Sequence, residues 1–466
     1  MSDILHLTKV KHILSTITQS PRRSVLLGLI VTSAVFLFVY VAFMSGRLLI
    51  ILAAFGGLVG CMAIFSHPIL GIAWIAFTSS SNVSVYLPHT TTPILMLTLF
   101  ALFIKRIFSG DTALRIPGFF LWMLLLFAWE IASIVWAPGY DHALPGVLLR
   151  NIALVCAFLW VIQTPKQFYI VMIAAFLGVM VSSIQTVQSM YDFFTTGAIE
   201  NVASSSRNFA ITRLRFSGTW DDPNILGLSM LPFVLLAFVL LRSKVFPAVR
   251  IASFLCIIFG SIAIALSLSR GALLFYIVGF SLFLWGEKKR LLVFSVLFLL
   301  LLIVTAIIPS DVFSRVGTLF SGTKDSSVLA RSQLAIGSLN MAIEHLPFGV
   351  GLGNVITYSA DYNPTLIQGI VAHNAFIDIL AETGIIGIFL LFAVFASIIR
   401  EVIPKRWRID PSNVNQNLTI GFAVLYICII GTFLIGSYLN YSLFWIMMAL
   451  MCIRNDVFSA PKEVHI

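Results

Sequence analysis

The chain has 466 residues, of which 59% are hydrophobic and 10% charged, and its mean hydropathy is +1.01. Soluble domains carry about 25% charged residues, so this composition excludes a soluble protein and calls for one embedded in a bilayer. The formal net charge of +10 would suit a nucleic-acid binder, but most Lys and Arg fall in short clusters between apolar runs. That is the pattern that orients membrane spans, with basic turns on the cytoplasmic side, and no nucleic-acid partner is expected.

Lys9, Lys11, Arg22 and Arg23 precede the first apolar run and put residues 1–24 in the cytoplasm. No A-x-A cleavage site follows Leu26–Phe43, so that run is read as a span and not as a signal peptide. Apolar runs of about 20 residues, each able to cross ~30 Å of hydrocarbon, recur over 25–187, 224–309 and 374–453. Lys105 with Arg106, Lys166, Arg242 with Lys244, Lys288 to Arg290, and Lys405 to Arg408 mark cytoplasmic turns, and Arg454 and Lys462 mark a cytoplasmic tail over 454–466. The reading is an all-α polytopic membrane protein with roughly 12 to 14 transmembrane helices and both termini cytoplasmic.

Two external segments interrupt the spans: a polar loop at 188–223 and a larger one at 310–373. Within the second, a helix is expected near 328–346, ended by Pro347 and a glycine-rich turn. Leu329, Leu334, Leu339, Ile343 and Leu346 would give it one apolar face along the membrane surface. Gly349, Gly351 and Gly353 suggest close backbone approach and not a dinucleotide site, since no strand precedes them. Cys61, Cys156, Cys256, Cys428 and Cys452 all sit in apolar runs, so no disulfide framework is expected. No Cys/His spacing suits a metal, and the cytoplasmic turns are too short for a nucleotide-binding domain. Neither metal nor cofactor is expected.

Arg215, Arg270, Arg331 and His373 all fall on the side opposite the cytoplasm, where cationic residues are uncommon. A guanidinium grips phosphate oxygens bidentately, so a bound lipid diphosphate would explain the arginines. For Arg215 and its neighbour Asn224 the plainer alternative is a capped helix start beside a solvated loop. For Arg270, in Ser269-Arg270-Gly271, the alternative is an ion pair with Asp378 or Glu382. Asn374, Asp378 and Glu382 recur every four residues and form one polar stripe on an otherwise apolar helix. Such a stripe faces the protein interior or a wet cavity. His373 at its head titrates in the range suited to accepting a proton near neutral pH.

Taken in order, Arg215, Gly218 and Asn224, then Ser269 to Gly271, Arg331, Pro347 with Gly349 and Gly351, and His373, Asn374, Glu382 and Gly384 resemble the O-antigen ligase and polymerase family of bacterial envelope enzymes. The resemblance covers residues 210–400. It implies a metal-independent glycosyltransferase of the inner membrane, with 310–373 as a periplasmic loop subdomain. The implied donor is an undecaprenyl-diphosphate-linked glycan and the acceptor a glycan or lipid A-core. By the same resemblance Arg215 and Arg270 would bind the donor diphosphate, with Arg331 assisting. His373 would act on the acceptor hydroxyl, and Asn224, Asn374, Asp378 and Glu382 would line the substrate site. A chain-length regulator or a flippase would be the expected protein partner. Polymerisation of O-antigen or exopolysaccharide repeat units is favoured over ligation to lipid A-core. A lipid-glycan transporter is the competing class, but it would concentrate polar groups near the midplane instead of at one face.

Overall fold

The computed structural model describes residues 48–86, 90–109, 116–139, 142–196, 215–285, 326–363, 371–437 and 439–458. Two units are distinguished, residues 1–66 and 67–466. In the first, helix α1 (Leu48–Ser66) is described. The second contains α2 (Ile69–Ser81), α3 (Thr91–Ser109), α4 (Gly118–Ala132), α5 (Leu144–Val161), α6 (Pro165–Thr196), α7 (Pro223–Leu241), α8 (Pro247–Ser267) and α9 (Arg270–Trp285). After residue 325 come α10 (Ser326–Glu344), α11 (Val355–Tyr362), α12 (Ala375–Val402), α13 (Val414–Phe433) and α14 (Ser442–Phe458).

Eight of the described helices are long and apolar enough to cross a membrane: α3, α4 with its 3-10 extension to Trp136, α5, α6, α7, α8, α12 and α13. The all-helical polytopic reading holds, because apolar backbone in lipid must satisfy its hydrogen bonds within each segment. The expected span at Leu26–Phe43 and the end of the apolar stretch 224–309, from residue 286, lie outside the described residues. α6 runs to Thr196, so the first residues of the segment read as a loop from 188 are helical.

α7 is buried almost all round, between α6, α8, α9 and α13. Its capping residues therefore lie at the centre of one end of the bundle. Asp222 begins α7, its carboxylate accepting from Asn224 N at 2.7 Å, and Pro223 follows at the first helical position, where a missing N–H costs nothing.

Two expectations for residues 326–402 change. The buried face of α10 runs through Leu334, Ser338, Met341 and Ala342, while Leu339, Ile343 and Leu346 are exposed. The five apolar residues grouped on one face are thus divided, because Met341 and Ala342 are the residues that meet Val350, Val355 and Ala381. The side chain of Leu329 is not described. The long helix after His373 is also broken, at Gly384 (φ 67°, ψ −157°). There Ile385 N donates to Pro347 O at 3.0 Å, and just before it Val350 N and Gly351 N donate to Ala381 O and Glu382 O. The glycine-rich turn is docked on this break, with Gly349 and Gly351 at φ 74° and 91°.

Candidate active site

The segment from Arg215 to Asp222 lies across the C-terminal end of α8. Phe216 N donates to Leu266 O at 3.3 Å, and Arg215 Nε donates to Ser267 O at 3.1 Å. A guanidinium there meets carbonyls at the negative end of a helix dipole, which is favourable in itself. Arg215 Nη2 also donates to Asn224 Oδ1 at 2.6 Å. The side chain is 9% exposed. Arg215 and Asn224, nine residues apart, therefore form one charge-assisted unit spanning the starts of α7 and the end of α8.

The same junction holds the Ser-Arg-Gly turn. Leu268 adopts a left-handed conformation (φ 47°) and ends α8. Ser269 N donates to Ser267 Oγ at 3.2 Å, and Ala272 N to Ser269 Oγ at 3.4 Å. α9 thus restarts within two residues, and half-buried Arg270 is its first helical residue. The backbone that receives Arg215 is contiguous with the backbone that carries Arg270.

His373 reaches this end of the bundle from the far side of the chain. It is half-buried and sits at φ 54°, just before α12. Burial holds its imidazole below the ordinary histidine pKa, the Arg331 guanidinium lowers it further, and the Asp222 carboxylate opposes both. Arg331 is exposed on α10 and Asp222 caps α7. Residues 222, 331 and 373 thus share one electrostatic neighbourhood. In the sequence Asp222 before Pro223 reads as a chain break, with Asn224 as the cap of the helix that follows; in the structure Asp222 is the cap. No local signal indicates that its charge also reaches the histidine.

The polar stripe below His373 does face inward, but most of its hydrogen bonds are to backbone groups. Asn374 caps α12, its Oδ1 accepting from Phe376 N at 3.0 Å and Ile377 N at 3.2 Å, while Nδ2 donates to Leu434 O. Asp378 accepts from Ala372 N at 2.9 Å and from the Ser437 hydroxyl, which holds the residue directly before His373. Glu382 receives the backbone N–H groups of Gly353 and Val355. Of the three, Asn374 and Asp378 position the histidine, and Glu382 anchors the glycine-rich turn about two helical turns further from it. Buried Glu130 on α4 lies close enough to Glu382 to feel its charge, and neither of its carboxyl oxygens has a hydrogen-bond partner.

Arg215, Asn224, Arg270, Arg331 and His373 thus gather at one end of the helices, with Asp222 linking the arginine–asparagine unit to the histidine. Among the described residues no group of three or more His, Cys, Asp or Glu side chains is arranged to hold a metal ion. The arrangement brings guanidinium groups to the same end of the bundle as an imidazole whose pKa burial lowers.

Residues 254–392 match the family model described as O-antigen ligase. That stretch contains Arg270, Arg331, His373, Asn374, Asp378 and Glu382, while Arg215 and Asn224 precede it. An O-antigen polymerase of Salmonella muenchen is 25% identical over 304 residues, covering 60% of this chain and 72% of the relative.

Proposed function

We propose a reaction for a chain that carries the domain of the O-antigen ligase and polymerase family: transfer of a glycan from undecaprenyl diphosphate to an acceptor hydroxyl at the periplasmic face of the bacterial inner membrane. The bond between the anomeric carbon and the diphosphate oxygen breaks, and a glycosidic bond to the acceptor oxygen forms. Negative charge develops on the leaving diphosphate, and Arg215 and Arg270 stabilise it, with Arg331 assisting. His373 accepts the proton that the acceptor hydroxyl loses. Asp222 favours the imidazolium that results, while burial and then Arg331 favour the neutral resting imidazole.

The observation that carries this reading is that the charges of Arg331 and Asp222 both reach His373, with Asp222 two residues from the Asn224 that holds Arg215. Four segments distant in sequence supply one base, its counter-charges and the anion-binding groups. Repeat-unit polymerisation is the first reading, supported by the printed name of the curated relative. Ligation to lipid A-core is the second, supported by the description of the family model.

Deleting the gene and analysing the envelope glycans tests both. Single repeat units on lipid A-core or in the medium, with long chains lost, support polymerisation. Long chains that accumulate on the polyprenyl carrier support ligation. Unaltered glycans would remove both readings.

A further inference from the structure

Beside the candidate site, the same end of the bundle holds a cavity of about 580 Å³ that the reaction above leaves unused. It is built from the C-terminal end of α2, the N-terminal ends of α3, α5, α7 and α14, and the loop before α7. Its lining is polar for a membrane protein and includes Asn82, Thr92, Arg150, Trp220, Asp221 and Tyr441. Asp221 directly precedes Asp222, whose charge His373 feels, so the cavity adjoins the start of α7.

Arg150 is the residue that needs an explanation. It lies six residues into α5, an apolar helix, where an ionisable side chain is costly and marks function by default. Its recorded hydrogen bond is a long one, Nη2 to Ser442 Oγ at 3.4 Å, and Nε is buried with no acceptor. The neighbouring Asn151 Nδ2 is buried without an acceptor too, although Asn151 Oδ1 receives the Ser442 hydroxyl at 2.8 Å. Donors are thus in excess along this wall, and among the described residues Arg150 makes no ion pair. On the other side stands the Asp221 carboxylate, whose charge, with that of neighbouring Asp222, reaches the Tyr441 phenol.

A cavity with donors on one wall and carboxylate on the other suits a ligand whose oxygens both accept and donate, as sugar hydroxyls do. It suits a diphosphate poorly, because Asp221 in its lining would repel it. Trp220 and Tyr441 add aromatic surface for the apolar faces of sugar rings. The cavity also shares Ile225, Ser229, Tyr441 and Leu443 with a narrow apolar crevice of about 60 Å³ between α7, α13 and α14. The two together fit a molecule with a hydroxylated head and a hydrocarbon tail.

We infer that this cavity is a saccharide-binding subsite for a lipid-linked substrate, with Arg150 and Asp221 hydrogen-bonding its sugar hydroxyls. The inference rests on the glycan-transfer reading and names which part of the substrate this chain holds away from the arginines.

The test uses the purified full-length protein and two probes: undecaprenyl diphosphate, and the saccharide-bearing lipid extracted from a strain deleted for this gene. Binding is read by quenching of tryptophan fluorescence and by native mass spectrometry. Arg150→Gln removes a charged donor, and affinity for the saccharide-bearing lipid should fall about tenfold or more while affinity for undecaprenyl diphosphate is unchanged. Thr92→Trp fills the cavity from an exposed position and should act in the same direction, so the inference remains testable if the first variant fails to fold. Unchanged affinity for the saccharide-bearing lipid in a folded Thr92→Trp protein would overturn the subsite. An equal loss of both probes in Arg150→Gln would overturn it as well, by assigning Arg150 to the diphosphate. A wild-type protein that binds neither probe would remove the proposed reaction together with the subsite.

Discussion

Replacing Asn224 by Asp separates a structural from a catalytic role for Arg215. The Oδ1 that now accepts from Arg215 Nη2 at 2.6 Å would become a carboxylate oxygen in the same position. The hydrogen bond would be kept and strengthened, since ionised acceptors bond more strongly than neutral ones. If Arg215 only caps α8 through Ser267 O, Asn224→Asp leaves both stability and glycan transfer close to wild type. If Arg215 also stabilises the leaving diphosphate, the new carboxylate opposes the same developing charge. At a separation of about 6 Å and an effective dielectric of about 20, that repulsion amounts to about 3 kcal/mol. The rate should fall about a hundredfold, while the unfolding midpoint stays the same or rises. Asn224→Ala behaves differently, because it leaves a 9% exposed guanidinium short of an acceptor and should destabilise by about 1.5–3 kcal/mol. The assay is chain-length analysis of the glycan in a complemented deletion strain, with expression and thermal unfolding measured in parallel. Full activity in Asn224→Asp would refute the assignment of Arg215 to the leaving group.

His373 supplies a prediction in pH. Its proton affinity is held down by burial and by Arg331 and held up by Asp222, so activity needs the neutral form and should fall as pH drops through its pKa. Arg331→Gln removes the opposing cation, raises that pKa, and should move the acidic limb of the pH–rate profile to higher pH. Asp222→Asn should move it to lower pH. Identical limbs in both variants would dissociate the titration from His373. Arg270→Lys keeps the charge but loses the planar fork, and transfer should drop by about tenfold or more if a phosphate is gripped bidentately; wild-type rates would reduce the requirement to charge alone. Gly384→Ala forces a side chain into backbone geometry that glycine alone adopts readily, at a cost of about 1–3 kcal/mol. Its Cβ would also overlap Pro347 O. The variant should lose yield and several degrees of thermal stability in detergent, and an unchanged melting curve would argue against the docked turn.

Much of the molecule is legible along the chain because membrane insertion imposes local rules. Mean hydropathy, apolar run length and basic turns specify a helical polytopic protein, since lipid leaves the backbone no partner but itself. The candidate residues were legible for the same reason: Arg215, Arg270, Arg331 and His373 are conspicuous where charge is rare. Asp222 was not, because an aspartate before proline already has a sufficient local role at a helix start.

Other features depend on where helices meet, which no window of sequence reports. The register of α10 could not be chosen from its leucines, because its apolar residues are spread around the helix and only packing against Val350, Val355 and Ala381 selects Met341 and Ala342 for burial. The interruption of α12 needs the carbonyl of Pro347 as a partner for Ile385 N. The stripe of Asn374, Asp378 and Glu382 was predictable as inward-facing, but which groups it would meet was not. Asn374 and Asp378 meet backbone and the Ser437 hydroxyl, and Glu382 meets the glycine-rich turn. The proposed chemistry draws on residues 215, 222, 331 and 373. Hydrophobic periodicity finds the helices that carry or flank them, and only tertiary packing brings those helix ends together.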